Sequence, residues 1–429
     1  MRPLKTSLKM KKIASILFSL FVASFAAQSQ CPVTDSTLMG AGTANDVYYS
    51  LKNGVVKTIS NKNWHLAFSV MRSQFPGNPS TGVAVRLNSA GNNMKLVRLP
   101  ATQNPANWRN IDTTGMYALP ELIDSDSTWF FTAFTKGYTS ADPFNFIWGA
   151  YNMSTKHVDG TNVYIMFNKA DNIYKKVFIK QVSFDSMWSV VVSNLDNTDS
   201  NFVQIRKNAY PNRMFVYYNA VTNEVLDREP ANNSWDLVWT KFTTFAVSTQ
   251  GSGLFPLSGV LSNLGVQVAK NVGKKCDQVW LSTKTAQVNP KISLIGGDWK
   301  LHLGGGVYAI ADTFVYFVTA ANTTYKLTFK GFAGGALGKS TFNLYEATLS
   351  TNELSSTPQI KVVPNPINGL GEIITDSKVE KITIQNLQGQ VILENSLSNS
   401  FDISNYASGI YLMTVQTDKG LTKLKLIKQ

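Results

Sequence analysis

Large apolar residues alternate with polar residues in short stretches along most of the chain, and each stretch ends at a polar turn. A clear example is the run from Tyr325 to Phe329, which reads YKLTF. Alternation with a period of two places every second side chain on the same face of a strand. The pattern therefore predicts an all-β protein made of hairpins, each of which packs one apolar face.

The region between residues 31 and 357 contains matched strands that recur in the same order. A Val-Tyr-Tyr run at 47–49 precedes NWHLAF, which contains Trp64, and a second Val-Tyr-Tyr run at 216–218 precedes SWDLVW, which contains Trp235. We expect these Trp and Tyr side chains to pack in the core, because one buried Trp contributes a large apolar area.

A second pair of matched segments follows further along each half of this region. VYIMFNKADNIYKKVF occupies 163–178 and VYFVTAANTTYKLTF occupies 315–329, and both have the form of a hairpin. Self-similarity of this kind predicts two copies of one β module, which we assign to residues 31–200 and 201–350.

The chain after residue 357 has short alternating strands separated by Pro, Gly and Asn. NLQG at 386–389 and TDKG at 417–420 each lie between two such strands, as the turn residues of hairpins do. This pattern predicts a small β-sandwich over residues 358–429, preceded by a linker at 351–357.

The first thirty residues have the organisation of a secretory signal peptide. Lysines precede an apolar run from Ile13 to about Ala27, and small and polar residues follow that run. We assign residues 1–29 to the signal peptide. No later stretch reaches about eighteen apolar residues, so we expect an exported protein without a transmembrane segment after cleavage.

Export would place the two cysteines, Cys31 and Cys276, in an oxidising compartment. They could pair there, but the sequence leaves the pairing open. Cleavage near residue 29 would also leave Cys31 close to the new N-terminus, where lipidation can occur. Gln30 is not the small residue that a lipoprotein signal carries before its cysteine, so we do not predict a lipid anchor.

The formal charge is +13, and five basic residues with no acidic residue precede position 31, so the mature chain carries +8. These charges are scattered, and no block of five like charges occurs. A solvated basic surface explains this distribution better than a nucleic-acid interface, and we predict no nucleic-acid partner.

The sequence lacks the common signatures of catalysis. It has three histidines and contains neither GxSxG nor HExxH, so we predict a non-enzymatic protein without a metal site. The segment from Gly334 to Ser340 ends like a phosphate-binding loop, but Ala333 replaces its first glycine, and we predict a simple turn. The acidic run from Asp124 to Asp126 is also predicted to be a solvated turn. A pair of carboxylates of the glycosidase kind stays open, because only the fold sets its spacing.

The C-terminal segment resembles the type A C-terminal sorting domain of the type IX secretion system of Bacteroidetes. The resemblance covers residues 358–429 and implies recognition by the type IX machinery, which delivers proteins to the cell surface or the medium. The residues that carry it and that we assign to the sorting motif are Pro364, Asn365, Pro366, Gly389, Gly409, Ile410, Tyr411, Lys423 and Lys428.

Each of the two predicted copies resembles a HmuY-like domain, the all-β fold of a haem-capturing surface protein. The match is closest in SWDLVW and YKLTF, and His65 stands in the first copy where Asp is usual. The resemblance implies binding of haem or haem proteins, and haem iron accepts His among other ligands. His65 and His302 are the candidate haem ligands. The alternative is a surface adhesion or interaction module without haem.

Overall fold

The computed structural model describes residues 34–72, 79–183, 186–248, 251–279, 281, 286–347, 360–375, 377–396, 398–418 and 420–429. Strands contain 50% of the residues and helices 7%, which confirms the predicted all-β class. The predicted signal peptide and linker lie outside the described residues. Cys276 is disulfide-bonded, and the other cysteine of the chain, Cys31, also lies outside them.

The described residues before the predicted linker contain twenty-two strands. In chain order they are β1 Thr34–Leu38, β2 Asn45–Ser50, β3 Gly54–Ser60, β4 Leu66–Ser69, β5 Val85–Leu87, β6 Lys95–Arg98, β7 Gly149–Asn152, β8 His157–Gly160, β9 Tyr164–Asn168, β10 Ile173–Ser183, β11 Met187–Asn194, β12 Asn201–Arg206, β13 Phe215–Asn219, β14 Glu224–Leu226, β15 Leu237–Ser248, β16 Gly251–Ser262, β17 Gln267–Asn271, β18 Lys300–Gly304, β19 Val307–Ile310, β20 Val315–Ala320, β21 Thr323–Phe332 and β22 Lys339–Glu346.

Helical structure is limited to short turns among the described residues. The 3-10 turns are Ala41–Thr43, Pro79–Gly82, Pro105–Asn110, Met116–Ala118, Ala133–Thr135, Lys207–Ala209 and Cys276–Gln278, and the one α-helical turn is Gly334–Leu337. This α-helical turn leads directly into a strand, as expected of a simple glycine-rich turn. No helix in the described part of the chain is long and apolar enough to cross a membrane.

The larger strands form four sheets that stack as two sandwiches. Outer sheet 1 has the order β1-β22-β21-β20-β17, and inner sheet 1 has the order β16-β15-β2-β3. Inner sheet 2 has the order β14-β13-β4-β5, and outer sheet 2 has the order β12-β11-β10-β8-β7, with β9 and β6 attached through β10. One apolar cluster joins outer sheet 1 to inner sheet 1, and another joins inner sheet 2 to outer sheet 2. β18 and β19 form a separate hairpin.

A third apolar cluster joins the two inner sheets, so these sheets are buried on both faces. In β2, Val47 and Tyr49 pack toward outer sheet 1, whereas Tyr48 packs toward inner sheet 2. In β13, Val216 packs toward outer sheet 2 and Tyr217 toward inner sheet 1. A strand that is covered on both sides needs apolar residues at successive positions. This is the physical reason for the two Val-Tyr-Tyr runs.

Each Val-Tyr-Tyr strand pairs with the Trp-bearing strand of the other predicted copy. In inner sheet 1, Tyr49 of β2 lies opposite Leu237 of β15. In inner sheet 2, Tyr218 of β13 lies opposite Leu66 of β4, in the equivalent register. The two predicted copies are therefore joined by an exchange of strands, and neither sandwich is complete without a strand of the other predicted copy.

The outer sheets show the same exchange. β1 pairs with β22, and β12 pairs with β11, so the predicted division between residues 200 and 201 falls between two paired strands. The second sandwich is continuous from β4 to β14. The first sandwich combines β1–β3 with β15–β22, and the second sandwich is inserted between these two segments.

The remaining seven strands form two sheets around one apolar cluster, which gives the small C-terminal sandwich. They are β23 Lys361–Val363, β24 Leu370–Ile374, β25 Val379–Gln385, β26 Val391–Ser396, β27 Ser400–Asp402, β28 Gly409–Thr417 and β29 Gly420–Lys428. The sheet orders are β23-β24-β27 and β26-β25-β28-β29.

We predict that a fragment of residues 31–200 does not fold alone, because β4 lacks its partner β13 and β2 lacks its partner β15. A fragment of the same length, residues 61–230, contains all strands of the second sandwich and should unfold cooperatively in urea. Circular dichroism during urea titration measures the unfolding of both fragments. Cooperative unfolding of 31–200 without such a transition in 61–230 would contradict the strand exchange.

Candidate functional site

A cavity of about 60 Å³ lies between the two inner sheets, and both predicted copies contribute to its walls. Its wall is unusually polar for the centre of a β stack. The charged residues that line it are Asp46, Arg86, Asp124, Asp126, Arg228, Glu229 and Lys241, and the aromatic ones are Tyr48, Trp64, Trp129, Phe215, Tyr217, Trp235 and Phe242. We call this cavity the central pocket.

The strand exchange builds the aromatic part of the central pocket. Tyr48 and Trp235 meet edge to face with ring centroids 5.0 Å apart, and Tyr217 and Trp64 meet in the same way at 4.9 Å. Each pair joins the Val-Tyr-Tyr strand of one copy to the Trp of the other. Trp129 lies perpendicular to Trp235 at 6.4 Å. Edge-to-face pairs of this kind contribute about 0.5–1.5 kcal/mol beyond their buried area, so the walls are rigid.

An ion pair is buried at one side of the central pocket. The side chains of Arg228 and Asp46 are 2% and 5% exposed, and Nη2 of Arg228 donates to Oδ2 of Asp46 at 2.7 Å. The same Nη2 donates to the Ser60 carbonyl at 2.8 Å, and Thr240 donates to the other carboxylate oxygen of Asp46 at 2.6 Å. Burial opposes the charge of Arg228, but Asp46, Tyr48 and Tyr217 together outweigh burial and raise the pKa of the guanidinium. Arg228 therefore carries a permanent positive charge in the core.

Glu229 lies next to this ion pair in the chain and is 2% exposed. Its Oε2 accepts a hydrogen bond from the backbone N–H of Phe215 at 2.9 Å. Burial raises the pKa of Glu229 to about 8, against the opposing effects of that hydrogen bond and of Arg228. A carboxyl group in low dielectric keeps its proton, so Glu229 is a neutral acid at neutral pH.

A second ion pair lines the central pocket. Nε of Arg86 lies 3.4 Å from Oδ2 of Asp124, and its Nη1 donates to the Trp129 carbonyl at 3.1 Å. Asp124 also accepts from two backbone N–H groups, and burial raises its pKa. The solvated turn predicted at Asp124 is therefore wrong, because this carboxylate is enclosed and held by an arginine that is distant in sequence. Asp126 also forms an ion pair, in which its Oδ2 lies 3.0 Å from Nζ of Lys291.

Four buried polar atoms on residues that line the central pocket have no hydrogen-bond partner. They are Nε1 of Trp64, Nε1 of Trp235, Nε of Arg228 and Oε1 of Glu229. A buried polar group without a partner costs about 1–3 kcal/mol. Folded proteins contain few such groups, and these four lie on residues that line one cavity.

His65, a candidate haem ligand, lies just before β4 and is 4% exposed. Its Nδ1 accepts the backbone N–H of Ala220 at 3.1 Å, so the ring carries its hydrogen on Nε2. Asp236 holds the equivalent position in the other copy and accepts the N–H of Leu51 at 2.7 Å. Burial, together with Lys175, lowers the pKa of His65 to about 4. His65 therefore acts here as a neutral acceptor at the strand exchange.

His302, the other candidate haem ligand, is exposed on β18 and lies against Tyr308 with ring centroids 5.0 Å apart. His65 belongs to the second sandwich and His302 to the first. Neither is among the residues that line the central pocket. The described residues contain no group of three or more His, Cys, Asp and Glu that could hold a metal ion.

No pattern in the sequence predicted the polar residues of the central pocket. Arg228 and Glu229 lie in a loop between the second Val-Tyr-Tyr strand and Trp235, where charged residues are usually solvated. Two asparagines also serve the exchange: Asn88 donates to the Trp64 carbonyl at 2.8 Å, and Asn263 donates to the Trp235 carbonyl at 2.7 Å. An asparagine that follows each matched Trp by fewer than thirty positions was a usable signal in the sequence.

In the C-terminal sandwich, several predicted sorting residues have structural contacts. Pro364 and Pro366 flank Asn365, whose side chain donates to the Lys425 carbonyl at 2.9 Å and accepts from the Ile427 N–H at 3.0 Å. These bonds attach the start of the domain to its last strand.

The remaining predicted sorting residues divide into buried and exposed ones. Tyr411 is buried and donates to the Ala407 carbonyl at 2.6 Å, and Lys428 is buried and donates to the Ser404 carbonyl at 2.9 Å. Gly389 has a φ of 83° in the turn between β25 and β26, a conformation that favours glycine. Ile410 and Lys423 are exposed, as is Gly409 at the start of β28.

Comparison with known families bears on this C-terminal sandwich. Residues 361–429 match the family described as secretion system C-terminal sorting domain. The C-terminal sandwich is a type IX sorting domain. The protein is therefore exported through the type IX system to the cell surface or the extracellular space. No curated protein and no solved structure matched the chain.

We predict that His65 makes stability depend on pH between its ordinary pKa of 6.5 and its folded pKa of about 4. The unfolded chain binds a proton in this range and the folded chain does not, so stability falls as the pH falls, by up to about 3 kcal/mol. His65→Asn keeps an acceptor for Ala220 and removes the titration. Urea unfolding at pH 7 and pH 4.5 should show a smaller loss in the variant. Equal losses in both proteins would contradict a buried neutral imidazole.

Proposed function

We propose that the exported protein is a non-enzymatic binding protein that holds a small polar ligand in the central pocket. The observation that carries this proposal is the set of four unpaired polar atoms, which lies among aromatic rings at the junction of the two sandwiches. Binding sites combine apolar walls with a few convergent polar groups. Outside the cell, such a pocket would serve capture or sensing of a nutrient.

The engagement of the acidic side chains supports binding rather than catalysis. Asp46 is held by Arg228 and Thr240, and Asp124 by Arg86. A carboxylate in a tight ion pair is a poor nucleophile and a poor general base. Glu229 keeps its proton at neutral pH and could donate a hydrogen bond to a ligand.

Haem capture is the second candidate, and the exposure of His302 favours it. Leu301 and Leu303, its neighbours on β18, are 60% and 62% exposed, so the hairpin presents apolar side chains as well as an accessible imidazole. A porphyrin is much larger than the central pocket, and haem would have to bind at this hairpin. Without haem, the same apolar hairpin would serve the adhesion alternative.

We predict that Trp235→Phe weakens binding of the pocket ligand at least tenfold while leaving the free energy of unfolding within about 1 kcal/mol of wild type. Phenylalanine keeps a ring against Tyr48 and removes an N–H that has no partner in the free protein. Tryptophan fluorescence during titration with monosaccharides, amino acids, monocarboxylates, inorganic phosphate and haemin measures binding.

Trp108→Phe is the matched control, because Trp108 packs in a cluster outside the central pocket. One ligand class should give a saturable fluorescence change in wild type and in Trp108→Phe. Its affinity for Trp235→Phe should be at least tenfold weaker. If haemin is the only ligand that gives a saturable fluorescence change, and His302→Ala is the only variant that removes it, the haem candidate is favoured. Failure of every class to bind wild type would refute the pocket proposal.

Secretion gives a separate prediction. Deletion of residues 358–429 should leave the protein in the periplasm, because the sorting domain is what the type IX machinery recognises. Fractionation and surface proteolysis of cells that express the full chain or the truncated chain would show this. Normal surface display of the truncated chain would contradict the assignment.

A further inference from the structure

We infer that the ligand of the central pocket is a small monocarboxylate anion of about the size of acetate or propionate. This inference rests on the proposed function and names the chemical class that the pocket takes. Three features of the pocket lead to it: its free hydrogen-bonding groups, its balance of charge and its size.

The free groups of the pocket are mainly donors. The indole N–H groups of Trp64 and Trp235 and the Nε–H of Arg228 have no acceptor. Glu229 offers Oε1, which can carry a proton. A ligand that reached these donors would have to present several acceptor lone pairs in a small volume. A carboxylate provides about four such positions on two oxygens.

The balance of charge also favours an anion. Asp46 is neutralised by Arg228, Asp124 lies against Arg86, and Asp126 accepts from Lys291. Among the described charged residues that line the pocket, Lys241 is left without an ion pair. A monoanion would compensate this lysine, which also has Lys62 as a neighbour of like charge.

The size of the pocket limits the ligand to a few atoms. A cavity of about 60 Å³ holds about four to six water-sized groups at 10–15 Å³ each. Acetate has four non-hydrogen atoms and propionate five. The aromatic walls suit the short alkyl part of such an acid, because burying it removes apolar surface from water. A phosphate or sulfate dianion would have no apolar part and would bring a second charge with no lysine or arginine free to pair with it.

Glu229 should couple the binding of this anion to pH. Arg228, Arg213, Tyr48 and Tyr217 are the charged and titratable groups that act on it, and both tyrosines stay neutral because burial raises their pKa values. An anion beside an ionised Glu229 would be repelled. Binding should therefore require the protonated acid, and it should weaken as the pH rises above about 8, the pKa of Glu229.

Isothermal titration calorimetry of the mature protein with sodium acetate at pH 6.5 and at pH 9 tests the inference, with ionic strength held constant by sodium chloride. We expect saturable acetate binding that is about tenfold weaker at pH 9, since each pH unit above the pKa changes the protonated fraction tenfold. Acetamide has the shape of acetate without its charge and should bind at least tenfold more weakly. In Glu229→Gln, the ratio of the Kd for acetate at pH 9 to the Kd for acetate at pH 6.5 should be close to one.

Two variants distinguish the contribution of the ligand's charge to binding from the contribution of the pocket as a whole. Lys241→Gln should weaken acetate at least tenfold and leave acetamide unchanged, whereas Trp235→Phe should weaken both. Equal binding of acetate and acetamide, or tighter binding of inorganic phosphate than of acetate, would overturn the monocarboxylate inference and leave the proposed function standing. No binding of acetate, together with failure of all other ligand classes on wild type, would overturn both.

Discussion

The exchange of strands between the two halves of the chain is the constraint on which the rest of the structure depends. Tyr49 pairs with Leu237 and Tyr218 with Leu66, so each inner sheet combines strands from both halves. Because the inner sheets face each other, their strands are covered on both sides, and the ladder of one sandwich cannot form without a strand supplied by the other half. The exchange also explains why a histidine and an aspartate can hold equivalent positions: both need only accept one backbone N–H.

The same exchange creates the central pocket. The Tyr48–Trp235 contact in inner sheet 1 and the Tyr217–Trp64 contact in inner sheet 2 are edge to face, and Arg228 and Glu229, from the loop after β14, line the same cavity. An entirely apolar filling would be more stable than buried charges, because two ions lose their hydration when they are enclosed. The chain instead retains two arginines, three ion-paired aspartates and a protonated glutamate there. The proposed binding role would account for this arrangement.

Alternation and turn residues predicted the all-β class and the hairpins, because both depend on local structure, whereas the C-terminal sorting domain was predicted from the resemblance of residues 358–429 to that family. The sequence also drew attention to the paired Tyr and Trp residues, although their contacts lie between the copies. Which strand pairs with which is set by long-range packing, and no local pattern shows it. Arg228 and Asp46 were missed for the same reason, since they are 182 positions apart and only the exchange brings them together. The prediction of a solvated turn at Asp124 fails because its ion-pair partner Arg86 lies on β5, far from this turn in the sequence.

The most direct test of this account is the ionisation of Glu229 itself, followed by the ¹³C resonance of its side-chain carboxyl in labelled protein as the pH is raised. The account predicts a midpoint near pH 8 in the free protein and a higher midpoint in saturating acetate, because an anion in the pocket disfavours a second negative charge. A midpoint near the ordinary value of 4.5, unchanged by acetate, would contradict a closed, anion-accepting pocket at the junction of the two sandwiches.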